Sequence, residues 1–377
     1  MAKKKILILT GWLPGGGAER VLIDILRNID YGLYDVDLAL FEKKGELLSE
    51  VPPQVNIIEI WGRNSFNYFA AIKSTLHLHN NILLSKRING SKLKKDYDAE
   101  IAFLEGMPVK LIALRKTEAP KYCWIHTDLS KFQGSKTSFY SNAEEQTSYS
   151  KMDKIVCVSE NARLGFIACF PDLQNKTITI YNPVDKDSII SKSSLSDQKL
   201  KKTGAQINIV TVGRLHSEKN PDRLLQVAKL ADKEGLDVKF HWLGSGPMLD
   251  EIVKKRDEAK LTEKIEFYGF NNNPFPYIRQ SDIMLLPSDA EGFGLVLVES
   301  MCLGVPVIST PTAGAKEIIG NNEFGLLSDF SPESILEAVK RIINDKELKN
   351  QLIEAGRKRV EQFSVENAMK HFYRLID

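Results

Sequence analysis

The chain has 377 residues, of which 43% are hydrophobic and 27% charged, and 51 Lys+Arg against 49 Asp+Glu leave a formal net charge of +2. That length exceeds one ordinary core and suits two domains of about 150–200 residues, while the near balance of charge excludes nucleic acid as a partner on bulk electrostatics. Cys123, Cys157, Cys169 and Cys302 show no C-x-x-C spacing and each sits in an apolar run, so they read as buried thiols in a reducing compartment, not as a zinc site.

The N-terminus "MAKKKILILT" is basic and then apolar. Its apolar run falls short of the about 7–15 residues of a secretory signal and reads as a first buried strand. No stretch approaches the ~18 apolar residues of a membrane span. The expectation is a cytoplasmic protein, with a peripheral place on the cytoplasmic face of the cell membrane left open.

Strand one, "KILILTGW", is followed by "LPGGG" and a helix with Val21, Leu22, Ile25 and Ile29 on one face. "YDVDLALF" and "VNIIEIW" read as the second and third strands. "AEIAFLEG", "KYCWIH", "KIVCVS" and "TITIYNP" follow. Apolar runs without alternation mark strands covered on both faces, hence a parallel sheet. Residues 186–206 are polar, Ser/Lys-rich and poor in aromatics, which predicts a linker. The pattern then restarts with "INIVTVG", a helix opened by Asn220 and Pro221, and the strands "DVKFHWLG", "KIEFYGF", "DIMLLPS" and "VPVIST". Ser331 and Pro332 open a helix with Ile335, Val339 and Ile342 on one face; a last one carries Val365, Met369, Phe372 and Ile376. The expectation is α/β: residues 1–185 as one Rossmann-like domain, 186–206 as linker, 207–358 as a second such domain, and 359–377 as a C-terminal helix. In open parallel sheets the ligand sits at the carboxyl ends of the strands, so two such domains facing each other make a cleft.

Several stretches could carry chemistry. "DAEGFGLVLVES" (289–300) places Glu291 in a loop after a strand and Glu299 two turns into a helix starting near Gly294. Eight helical residues cover ~12 Å, about the reach from a sugar to a ribose. Carboxylates only accept hydrogen bonds and suit vicinal hydroxyls, the glycines admit close approach, and a helix N-terminus favours a diphosphate. The plainer reading is a solvated loop acid and a surface glutamate. In "GRLHSEKNP", Arg214 and Lys219 flank a strand end, where a guanidinium fork and a point charge suit phosphate oxygens.

In "LPGGGAERVL", Gly15-x-Gly17 begins a dinucleotide fingerprint, but position 20 is Arg20 where the third glycine would stand, although Glu42 ends strand two where a ribose acid would sit. "GSGPML" (244–249) is a similar partial match. His126 closes a strand-like run at the end that should face a ligand; a structural histidine is the other reading. Asp96-x-Asp98 has a spacing used for Mg²⁺ or Mn²⁺, yet it directly precedes an apolar strand and reads as a polar strand entry. Residues 62–95 are rich in Lys and Arg with Phe66, Tyr68 and Phe69, which fits an anionic membrane surface or an ordinary solvated helix.

"GRLHSEK", "EGFGLVLVES" and "GGGAERV" together resemble the retaining glycosyltransferases of family 4, over nearly the whole chain. "CVSENAR" and "IYNPVD" are also similar to that family, and "CWIHTDLSKF" is similar to members that build bacterial capsule, lipopolysaccharide or other surface glycans. The resemblance implies the GT-B fold, two Rossmann-like parallel-sheet domains facing across a cleft, with the last helix crossing back to the N-domain. It implies that Arg214 and Lys219 hold a donor diphosphate and Glu299 binds the ribose hydroxyls. Glu291 would contact the donor sugar, with Phe293, Gly294 and Leu295 supplying main-chain N–H groups. Gly16 and Gly17 would border the donor from the N-domain, and His126 would sit beside the sugar's reacting face. No metal and no cofactor is implied. The implied partners are a nucleotide-sugar donor, a UDP-sugar before a GDP-sugar, and a glycan acceptor that can be polyprenyl-linked. The expected activity is hexosyl transfer to an acceptor hydroxyl with retention at the anomeric carbon. Two rivals stand beside it: an NAD-dependent oxidoreductase or epimerase, and a non-catalytic nucleotide-sugar-binding protein.

Overall fold

A computed structural model describes residues 2–61, 84–90, 92–94, 96–131, 134–194, 200 and 206–377. The chain divides into two compact units, Met1–Pro183 with Val365–Asp377, and Val184–Ser364.

Among the described residues, the first unit is built on β1 (Lys4–Thr10), β2 (Tyr34–Leu40), β3 (Asn56–Glu59), β4 (Ala99–Ala102), β5 (Lys121–Ile125), β6 (Lys154–Cys157) and β7 (Thr177–Thr179). They form one sheet in the order β3-β2-β1-β4-β5-β6-β7, and every pairing is parallel. Ile6 to Leu9 of β1 are 0–1% exposed, as a strand covered on both faces must be; each such side chain contributes roughly 1.5–3 kcal/mol by leaving water. Helix α1 (Gly17–Arg27) buries Val21, Leu22, Ile25 and Leu26 on one face. Helices α2 (Met107–Ala113), α3 (Asn142–Ser150) and α4 (Glu160–Cys169) follow. Ser141 and Ser159 cap the last two, their hydroxyls accepting from the amides of Glu144 and Ala162. A buried ion pair ties this unit together: Arg115 donates to Glu100 Oε1 at 2.8 and 3.0 Å and to the carbonyls of Ile88 and Lys94. Both side chains are fully enclosed.

The second unit opens with α5 (Lys186–Ser194). Residues 186–194 were expected to lie in a linker; they form this helix instead. Its apolar face is small, with Ile189 buried, and polar contacts hold it: Arg279 donates to the hydroxyls of Ser193 and Ser194, and Asn273 to the Lys192 carbonyl. The remainder of the expected linker, 195–199 and 201–205, lies outside the described residues. The sheet then comprises β8 (Ile207–Val212), β9 (Val238–Leu243), β10 (Ile265–Phe267), β11 (Ile283–Leu286), β12 (Val307–Ser309) and β13 (Leu326–Leu327), in the order β10-β9-β8-β11-β12-β13 and all parallel. Helices α6 (Pro221–Lys233), α7 (Leu249–Glu258), α8 (Phe275–Arg279), α9 (Leu295–Cys302), α10 (Ala313–Ile319), α11 (Pro332–Asn344) and α12 (Lys346–Val360) alternate with the strands.

Both sheets reverse direction at one place. Successive strands build outward from β1 to β3, and the chain then returns to the other side of β1 with β4; the second unit does the same between β8 and β11. Such a reversal opens a crevice at the carboxyl ends of the two central strands, where ligands of doubly wound sheets bind.

The last helix, α13 (Val365–Ile376), belongs to the first unit. Phe372 packs on Trp124 with ring centroids 5.9 Å apart, and Tyr373 stacks on Tyr34 at 5.4 Å. The Asp377 carboxylate accepts from the Tyr34 hydroxyl at 2.6 Å and from Lys4 at 3.1 Å.

Candidate active site

In the second unit the reversal lies between β8 and β11, and the two loops leaving those strands carry most of the residues singled out above. Gly213 follows β8, and its main chain lies against the aliphatic stem of Lys219. The Lys219 ammonium reaches across and donates to Glu291 Oε1. The same oxygen accepts from the Ser288 hydroxyl at 2.7 Å. Both charged side chains are mostly buried, Lys219 at 20% exposure and Glu291 at 11%, whereas Arg214 is 69% exposed with one guanidinium nitrogen 3.1 Å from Glu218. Glu218 also takes His216 Nδ1 at 3.2 Å, and its carbonyl accepts the Asp289 amide at 2.8 Å.

Asn220 completes the brace. Its backbone is left-handed, φ 49°, and its side chain caps α6 by accepting the Arg223 amide at 2.9 Å while donating to Asp289 at 2.9 Å. Arg223 then holds Asp289 at 2.7 Å and the Pro287 carbonyl at 2.6 Å. Glu218, Arg223, Ser288 and Asp289 were not foreseen. They act across about seventy residues of sequence, so no local pattern exposes them; the signal, in hindsight, is an acid directly after a strand. The stretch 244–249, a partial match to a dinucleotide fingerprint, braces this loop: the amide of Leu215 donates to the Ser245 carbonyl at 3.0 Å, and the amide of Met248 donates to the Leu215 carbonyl at 3.2 Å.

Helix α9 starts where expected, with Gly294 as its N-terminal flanking residue. Gly294 has φ +90°, a conformation that a side chain would strain. No side chain caps this end, and the first amides of a helix have no intrahelical partner. Leu295 is the first helical residue. Phe293 is 3% exposed and packs edge-on against Phe363. Its carbonyl would lie 1.9 Å from a β-carbon at Gly314, so α10 can approach this loop only with a glycine there. Glu299 is the fifth residue of α9, a little over one turn in; burial, with the charge of Glu299 behind it, pushes the Cys302 thiol up to about 12.

In the first unit the corresponding reversal lies between β1 and β4. Gly16 is the N-terminal flanking residue of α1 and Gly17 its first residue; Gly16 has no side chain to cap the helix, and the Glu19 carboxylate folds back against it. His126 closes β5. It is half-buried, with its ring tilted on Phe103 at 5.1 Å. Nε2 is enclosed and finds no hydrogen-bond partner among the described residues. Burial pushes this imidazole down to about 4, against the charge of Glu105 and a hydrogen bond to the Phe103 main chain. A neutral imidazole so held offers one ring nitrogen to a ligand.

The remaining candidates have internal partners. Asp98 accepts the Lys5 amide at 2.8 Å, and Asp96 pairs with the Lys5 ammonium, so both serve the entry to β4 and the edge of β1. Glu42 is buried and paired with Lys44, and Arg20 holds Glu50 at 2.6 Å. The basic segment 62–95 falls mostly outside the described residues; within it, Arg87 donates to the Ile60 carbonyl and Lys92 to that of Glu59.

Residues 193–359 match the family model described as glycosyl transferases group 1. A Campylobacter jejuni protein, N-acetylgalactosamine-N,N'-diacetylbacillosaminyl-diphospho-undecaprenol 4-alpha-N-acetylgalactosaminyltransferase, is 32% identical over 218 residues, 57% of each chain. The capsular polysaccharide biosynthesis glycosyltransferase CapM of Staphylococcus aureus is 29% identical over 218 residues, 55% of this chain and 56% of that one. The chain thus spans somewhat over half the length of these relatives. Among solved structures, Anabaena HepE in complex with UDP-glucose superposes with a TM-score of 0.77 at 18% identity, over 99% of each chain. Sucrose-phosphate synthase of Thermosynechococcus elongatus does so at 0.77 and 16%, also over 99% of each. The fold is GT-B, and the resemblance to glycosyl transferases group 1 lies in residues 193–359.

Proposed function

We propose that this chain, whose residues 193–359 resemble glycosyl transferases group 1, transfers a hexosyl unit from a nucleotide-diphosphate sugar to a sugar hydroxyl in bacterial surface-polysaccharide synthesis. The observation that carries the reading is the cluster at the β8/β11 reversal: Arg214 and Lys219, with Glu291 and the uncapped start of α9 beside them.

In the proposed reaction the bond between the anomeric carbon and the diphosphate oxygen breaks, and its electron pair stays on phosphate. Arg214, Lys219 and the amides of Phe293, Gly294 and Leu295 stabilise that charge; donors of this kind are worth about 3–4 kcal/mol each. The acceptor oxygen bonds the anomeric carbon from the face the phosphate leaves, and its proton passes to the departing phosphate oxygen, so configuration is retained. Fixed cations do the work a metal would otherwise do. Glu299 binds the ribose hydroxyls, Glu291 the donor sugar, and His126, with Gly16 and Gly17, serves from the first unit.

A UDP-sugar is favoured because HepE is solved with UDP and with UDP-glucose. A polyprenyl-diphosphate-linked acceptor is favoured by the undecaprenol named for the Campylobacter relative, and capsule synthesis by the Staphylococcus one. Such an acceptor would bring the protein to the cytoplasmic face of a membrane. No helix among the described residues is long and apolar enough to cross one.

The test is a thermal-shift panel of UDP, GDP, ADP and dTDP, followed by nucleoside-diphosphate release from sugar variants of the winner. UDP should raise the midpoint most. Arg214→Ala should cut turnover by roughly 100-fold, and Glu299→Ala should weaken nucleotide binding. Unchanged kinetics in both variants would remove the donor assignment.

A further inference from the structure

We propose that Glu105 is a positioning residue for His126, fastening the turn that carries the imidazole so that Nε2 faces one fixed way. The kinetic part of this inference rests on the transfer reading; the structural part does not.

Glu105 lies three residues beyond Ala102, the end of β4, and His126 one residue beyond the end of its neighbour β5. Its two carboxylate oxygens are divided between consecutive residues: Oε2 accepts the main-chain N–H of His126 at 3.0 Å and Oε1 the Thr127 hydroxyl at 2.7 Å. No Lys or Arg among the described residues pairs with it, so balancing a cation does not explain the acid. A charged acceptor makes hydrogen bonds roughly twice as strong as a neutral one, and two of them on adjacent residues leave the turn little freedom. Phe103, two residues before Glu105, packs against the ring itself, tilted on it with centroids 5.1 Å apart. Nε2 of that ring is enclosed and has no hydrogen-bond partner among the described residues. A buried polar atom left without a partner is costly, and an arrangement that holds it so from two directions makes sense if a ligand hydroxyl completes it. The β4 end thus grips the His126 backbone and the His126 ring separately.

Removing the carboxylate should free the turn while leaving the second unit untouched. We expect Glu105→Ala and His126→Ala each to lower kcat by about 10-fold or more, with UDP affinity within about twofold of the parent protein. The double variant should be no slower than His126→Ala alone to within about threefold, because one group acts through the other. Glu105→Gln keeps an accepting oxygen and should recover part of the loss. Thr127→Val, which removes one of the two contacts and spares the fold, should fall between. The second readout needs no substrate: the ring nitrogen resonances of His126, assigned with His126→Asn, should report a single tautomer in the parent protein and an averaged pattern in Glu105→Ala. Multiplicative losses in the double variant, or His126 resonances unmoved by Glu105→Ala, would overturn the proposal. A parent protein that releases no nucleoside diphosphate from any donor would overturn the transfer reading instead, and the resonances would still decide the role of Glu105.

Discussion

His126 couples the first unit to proton concentration. In an unfolded chain a histidine titrates near 6.5, whereas burial holds this one down to about 4. Between those values the unfolded chain binds a proton that the folded chain refuses. Its contribution to stability is therefore complete above about pH 6.5 and drains as pH falls through about 4, by up to about 3 kcal/mol. Urea midpoints at several pH values should show this slope, and His126→Asn should flatten it. Arg115 and Glu100 are the other residue-scale case. Arg115→Met would leave the Glu100 carboxylate enclosed without its cation, at a cost of about 3–5 kcal/mol. Pairing it with Glu100→Leu should return most of that loss in the same denaturation assay, because an apolar pair leaves no buried charge.

At the scale of elements, the loop from Arg214 to Asn220 is held by the helix it leads into. Asn220 is both the left-handed corner and the cap of α6. Asn220→Ala should cost about 1–2 kcal/mol, and Asn220→Gly less, since glycine accepts that backbone freely. Both variants lose the bond to Asp289, so both should loosen Lys219 and weaken nucleotide binding, as calorimetric titration would measure. Legibility follows the same physics. The strands of both sheets could be read directly, because a parallel strand with helices on both faces is apolar throughout; only β13, two residues long, left no pattern. Helix α5 has no legible signature because serine and lysine cover it and hydrogen bonds to Asn273 and Arg279 hold it, where an apolar stripe would announce a helix. Arg214, Lys219 and Glu291 were visible as charges placed at strand ends. Their partners Glu218, Ser288 and Asp289 were not, since a hydrogen bond between loops seventy residues apart has no signature in either loop. Glu105 leaves no mark within "AFLEG" because its partners are a main-chain amide and a hydroxyl.

For the molecule as a whole, each unit has a separate core. One gathers Leu7, Leu9 and Cys123 among its strands, the other Ile209, Phe240 and Leu285. Scanning calorimetry should resolve two transitions. UDP at about 100 times its dissociation constant should stabilise one of them by about 2.7 kcal/mol, and hydrogen exchange should localise the added protection to residues 207–364. Protection spread evenly over both units would contradict the placement of the donor site.

The first unit is assembled from two stretches of chain separated by all of the second. Trp124 and Tyr34 each take an aromatic neighbour, Phe372 and Tyr373, from α13. On the ribosome, where synthesis runs at about 5–20 residues per second, residues 1–183 therefore emerge with one groove unfilled and wait tens of seconds for its cover. During that interval the second unit is made and can close on its own. The earlier-made half is thus the later one to finish, and it is the half for which a chaperone would have most to do.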